Sequence, residues 1–190
     1  MRGPLIIAVC ALLGALVGAG IGRWFGDGPD QATLTLAGKL LLLLGLGAAG
    51  FAAILAHELG HALAAMRCGW QFRFVAVGPL MIARGTRGLR LRTNRLPAGF
   101  GGLALCLPGD DASLRRGAPW FYAGGPLASL AFAALAAALF QAGGGRLEGP
   151  LSGTLLGAAA ISLLIGLATL LLPGGEWPND GERLWRWLTA

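Results

Sequence analysis

Charge is what this sequence has least of. Only 13% of its 190 residues are charged and nine are acidic, against 55% hydrophobic. A chain this apolar has too little polar surface to cover a soluble globule, which excludes an ordinary soluble domain and implies a membrane class. Cysteine is scarce too: Cys10, Cys68 and Cys106 show no CxxC spacing, and no disulfide is expected. There are two histidines and one tyrosine, no internal repeat and no low-complexity linker. No helix-turn-helix or finger pattern occurs, so the formal net charge of +6 does not call for a nucleic-acid partner.

What is there in abundance is long apolar runs. Leu5 to Gly22, Leu40 to Met66, Trp120 to Gln141 and Leu151 to Leu172 each approach or exceed the roughly 20 residues that cross a bilayer core. The expected fold is an α-helical polytopic membrane protein of about four transmembrane helices, residues 1–190 forming one membrane-embedded domain. A polar insert, Arg67 to Pro119, holds nine of the fifteen basic residues, opposed only by Asp110 and Asp111. By the positive-inside rule this insert faces the cytoplasm, and both termini follow it there. Its charge meets anionic head groups, so membrane lipid is the expected partner. The first run resembles a signal peptide but approaches full-span length, and is expected to be retained. All six tryptophans lie at or just beyond span ends, where the ring sits at head-group level, and Tyr122 is placed there likewise.

Within the insert the apolar period changes. Phe72, Phe74 and Ala76 alternate with Arg73 and Val75, and Leu89 and Leu91 with Arg90 and Arg92, which predicts short strands. Gly101 to Leu107 is a third candidate, followed by a turn at Pro108 to Asp111. This is a small β-rich insert on the cytoplasmic side, and an edge along Phe72 to Val77 offers pairing to an unwound peptide. The third span is expected to open at Pro119, with Gly125 and Pro126 shaping a kink or close packing, or touching a substrate.

The second span carries one formal charge after Lys39, Glu58, flanked by the only histidines: His57-Glu58-Leu59-Gly60-His61. Residues i and i+4 share a helix face, so two imidazoles can bind one zinc while the acid beside the first reaches the water that zinc activates. As a structural accident, the motif would bury an unpaired acid and two polar rings in an otherwise apolar span, at several kcal/mol. Two histidines leave zinc short of a third ligand. The shallow position of the motif places Asp27, Asp30 and Glu148 on the wrong side. Asp180 follows the last span on the right side, next to Gly181, which lets the backbone come close; Glu176 and Glu182 stay open.

HELGH in an apolar helix, AGGPLAS (123–129) at the start of a later one, and the Pro173 to Gly181 element after the next resemble the site-2 protease family of intramembrane zinc metalloproteases. The resemblance covers roughly the last three quarters of the chain. It implies zinc, one per chain, bound by His57, His61 and Asp180, with Glu58 as catalytic acid/base and Gly125 and Pro126 as substrate-contact candidates. It also implies a β-rich cytoplasmic-side loop where Phe72 to Leu107 lies. The chain departs from the family pattern at Leu170 and Ser129, where many members carry Asn, and in a longer Pro173-to-Asp180 spacing. The implied activity is hydrolysis of peptide bonds within or next to transmembrane segments of membrane-protein substrates, in a multi-pass protein of the plasma membrane. The alternative is a membrane zinc-binding or transport protein using the same ligands, to which Glu58 would add little. No signal for an oligomeric state, a particular substrate or a prior cut by another protease is present.

Overall fold

The structure, a computed structural model, describes residues 34–95, 101–145, 149–172 and 178–189. Helix α1 (Leu36–Arg67) leads into strands β1 (Gln71–Val77), β2 (Leu80–Gly85), β3 (Gly88–Thr93) and β4 (Gly102–Leu107). Helices α2 (Asp111–Ala142), α3 (Gly149–Leu171) and α4 (Asp180–Thr189) come after them. The first three helices are long and apolar enough to cross a membrane, and in their most apolar stretches only 22%, 28% and 22% of residues are buried. Side chains such as Leu44, Leu63, Leu127 and Leu135 therefore point outward, as lipid-facing residues do. The expected first span, Leu5 to Gly22, lies outside the described residues.

Local chemistry sets the boundaries. Gly69 adopts φ +82°, and its amide and that of Trp70 bond back to the carbonyls of Met66 and Ala65, closing α1 in a Schellman turn that aims the chain into β1. Helix α2 opens well before the expected Pro119, because Asp110 Oδ1 accepts the Ser113 amide at 2.7 Å and caps it. Pro119 is thus inside a helix. Hydropathy marks where lipid begins, whereas capping marks where the helix begins. Trp70 also departs from expectation: it is 8% exposed, packs among core residues and donates its indole N–H to the Ser113 carbonyl, so it is no head-group anchor.

The four strands form one antiparallel sheet in the order β3-β2-β1-β4. Strand β1 is bonded on both sides, so the stretch Phe72 to Val77 is not the free edge expected of it; β3 and β4 are the edges. Strand β2, an apolar run without clean alternation, is an addition to the expected strands.

Two compact units can be distinguished by their internal contacts. In residues 1–50 and 131–164, as far as they are described, Ala49, Ala136 and Ala158 form the core, Gly45 lies against Thr154 and Gly157 against Leu46. In residues 51–130 and 165–190, one face of the sheet buries Val75 and Val77 in a core that includes Ala62, Ala65, Trp70 and Ala118.

Candidate metal centre

All six candidate site residues fall in the second of these units. In it α1 and α2 cross on glycine: a Cβ at Gly60 would strike the Gly124 carbonyl and Ala128, and one at Gly124 would strike the Gly60 carbonyl and Ala64. Small residues four apart on both helices, Gly60/Ala64 and Gly124/Ala128, allow this approach. The crossing brings α2 groups to both imidazoles. His57 Nδ1 lies 2.9 Å from the Ser129 hydroxyl, and His61 Nδ1 lies 2.6 Å from the Phe121 carbonyl. Gly125 has its own reason to be glycine, since a Cβ there would fall on the His61 ring at Nε2. Pro126 is fully buried.

The third group arrives on α4. The Asn179 side chain accepts the Glu182 amide at 3.0 Å and the Glu182 carboxylate accepts the Asn179 amide at 3.2 Å, a reciprocal capping box that fixes Asp180 in the first turn. Glu182, an alternative third ligand on sequence grounds, is engaged in this cap; Glu176 lies outside the described residues. Gly181 sits so close to the Leu170 carbonyl that no side chain fits between them. Arg183 donates to the Pro178 carbonyl at 2.9 Å and to the Tyr122 hydroxyl at 3.4 Å, with its guanidinium 5.6 Å from the Tyr122 ring centroid. Tyr122 thus ties α4 to α2, a different role from the interfacial anchor expected of it.

These elements bring three acceptor atoms together. His57 Nε2 and His61 Nε2 are 3.2 Å apart, and Asp180 Oδ2 is 3.2 Å from the first and 3.3 Å from the second. The Phe121 carbonyl can only accept, so His61 carries its proton on Nδ1 and a neutral ring presents a bare lone pair at Nε2. Burial works to raise the Asp180 carboxyl, but when the two imidazoles are protonated their contact outweighs it and holds the group at about 2; with the rings neutral, nothing offsets the meeting of lone pairs. Three lone-pair atoms facing one another in a buried site call for a cation. A proton bridges one pair of atoms, whereas here all three separations are nearly equal. Ligand bonds of about 2.0–2.1 Å in tetrahedral geometry separate neighbouring donors by ~3.3 Å, so the donor set fits zinc in type and in spacing. The outward nitrogens, each tied to a fixed partner, complete the arrangement expected of metal-binding imidazoles.

Glu58, 8% exposed, lies under strand β4, with Gly102 against its side chain and the Ala104 backbone close to its carboxylate. Sequence reasoning passes over Phe121, Gly60, Gly102 and the supporting role of Ser129. The four-residue spacing of small residues is the one available signal for the crossing; a backbone carbonyl such as that of Phe121 leaves none.

No curated protein and no solved structure matches the chain. A family model does: it covers residues 46–184, from the middle of α1 through both histidines and the sheet to the first turn of α4, and on that match the chain belongs to peptidase family M50.

Proposed function

We propose that this member is an intramembrane zinc metalloprotease, cutting membrane-protein substrates within or next to their transmembrane segments. The observation that carries the reading is the close triangle of His57, His61 and Asp180 donor atoms, with both histidines buried, in a chain of a membrane metallopeptidase family. His57, His61 and Asp180 would hold one zinc ion, which supplies a Lewis acid that polarises a scissile carbonyl and makes a water acidic near neutral pH. Glu58 takes a proton from the attacking water as its oxygen bonds to the carbonyl carbon. It returns that proton to the amine nitrogen as the C–N bond breaks. Ser129 and Phe121 keep the two rings oriented throughout. Gly125 packs against His61 and Pro126 is buried, which supports a packing role for both.

A substrate helix hides its carbonyls in internal hydrogen bonds, so it must unwind locally before it can be cut, which favours spans containing Gly, Pro or polar residues. An unwound segment is suited to pairing with a free sheet edge, which β3 offers and β1 does not. In this reading the whole chain acts as one membrane-embedded domain of the plasma membrane, with the basic insert and both termini on the cytoplasmic side.

The test needs no substrate. Zinc per chain is measured in purified, detergent-solubilised wild type, His57→Ala, Asp180→Ala and Glu58→Gln. Near-stoichiometric metal is expected in wild type and Glu58→Gln and its loss in the other two. Full zinc affinity in Asp180→Ala would remove the third ligand, and a wild type without zinc would remove the proteolytic reading.

A further inference from the structure

Under the proteolytic reading, on which the inference about β4 rests, Glu58 must hold its carboxylate in one direction to take a proton and give it back. A flexible side chain on a helix does not do this unaided. The backbone that meets this side chain belongs to β4. A Cβ on Gly102 would fall onto Cγ, Cδ and Oε1 of Glu58, with the Ala104 backbone close to the carboxylate. Gly102 and Ala104 pair with Val77 and Val75, which are 3% and 1% exposed, so packed core fixes where β4 lies along the acid. Gly102 is not among the glycines with positive φ, so backbone conformation does not explain its identity, whereas the space taken by Glu58 does.

We propose that β4 is a positioning element for the acid/base: Gly102 leaves the room that the Glu58 side chain fills, so that the strand limits where its carboxylate can lie. Gly102 touches no reacting atom; it acts through Glu58. A methyl at 102 would push the carboxylate aside while leaving His57, His61 and Asp180 in place.

The experiment reconstitutes the full chain in vesicles with a panel of fluorescent single-span model polypeptides, each a Leu/Ala helix broken by Gly-Pro. Zinc content, kcat and KM are measured for wild type, Gly102→Ala, Glu58→Asp and the double variant. Gly102→Ala is expected to keep its zinc and KM and to lose at least tenfold in kcat. Glu58→Asp shortens the acid by one methylene and relieves the collision, so adding Gly102→Ala to it should lower kcat less than threefold further. Melting gives a second, substrate-free cycle: Gly102→Ala lowers the Tm of wild type but not of Glu58→Ala. If Gly102→Ala does not fold, the double variant carries the test: Glu58→Asp relieves the collision, so the double variant is expected to fold and keep its zinc, and its failure to fold overturns the proposal. The proposal is overturned by a kcat within threefold of wild type, by an undiminished penalty in the Glu58→Asp background, by loss of zinc together with kcat, or by a rise in KM alone. A wild type that binds zinc and cleaves none of the panel overturns the proteolytic reading itself, whereas a cleaving wild type with an additive cycle overturns only the part played by β4.

Discussion

The two compact units draw on the same membrane vocabulary and treat polar groups differently. In the unit containing residues 34–50 and 131–164, Thr154 donates its hydroxyl to the Pro150 carbonyl of its own helix, and the Ser162 hydroxyl is buried with no partner among the described residues. In the unit with the candidate metal centre, partners lie far apart in sequence: Ser129 is 72 residues from His57, Phe121 is 60 from His61 and Asp180 is 123 from His57. Thr169, in that same unit, still bonds back to Ile165, so local satisfaction is the default for a hydroxyl in a span. A polar side chain at membrane depth is thus not in itself a sign of function. What marks function is a partner on another element, because only such a bond fixes the geometry of one element against another.

The largest expected break of this contrast comes from its glycines. Gly124→Ala drives a methyl into the Gly60 carbonyl and Ala64, whereas Gly47→Ala meets nothing within 4 Å. Overpacking of that kind typically costs about 1–3 kcal/mol. Here it also moves α2 away from His61, so a fall in zinc affinity of more than tenfold is expected by competition titration, with a lower Tm. Gly47→Ala should keep full affinity and gain up to about 1 kcal/mol from helix propensity. Equal behaviour of the two variants would mean that the crossing does not organise the site. Next in size is Ser129→Ala, which frees His57 Nδ1 and should weaken zinc by roughly 10–100-fold while leaving the fold intact. Unchanged affinity would make that hydroxyl a packing group only.

Smaller again is an acid limb in the stability of metal-free protein. Asp180 titrates at about 2 when folded, below its ordinary value of 3.8. Its stabilising contribution is therefore complete above about 3.8 and is lost as pH falls toward 2. Melting of metal-free wild type should drop across that window, and Asp180→Asn should flatten the drop. An identical acid limb in the variant would show that the contact with the imidazoles does not stabilise the fold.

Much of this is legible in the sequence because lipid restricts what a span can contain. Glu58 between two histidines stands out against an apolar background, and Asp180 beside Gly181 comes after a span that ends on the same side. Alternation discloses β1 and β3, and a short apolar run before the Pro108 turn marks β4, whereas β2, with Leu80, Met81 and Ile82 in succession, carries no period. Hydropathy misplaces the start of α2 at Pro119 because it responds to lipid contact, and a cap formed by Asp110 and Ser113 lies outside any apolar run. Least legible are the groups acting through their backbone. The Phe121 carbonyl and the Ala104 backbone belong to residues whose identity says nothing about their main-chain atoms.

The smallest expected effect is also the most exposed point of the contrast. Ser129 and Ser162 are both 0% exposed serines on membrane helices, differing in that one has a cross-element partner and the other has none among the described residues. A buried hydroxyl without a partner is unfavourable, so replacing it by a group of similar shape without the oxygen relieves that penalty. Ser162→Ala should therefore be neutral or stabilising by up to about 1 kcal/mol, with zinc affinity unchanged, where Ser129→Ala is expected to lose affinity. A loss of about 1 kcal/mol or more in Ser162→Ala melting would mean that this hydroxyl does hold a partner. The polar groups of that unit would then be organised across elements too, and the division drawn between the two units would have to rest on the candidate metal centre alone.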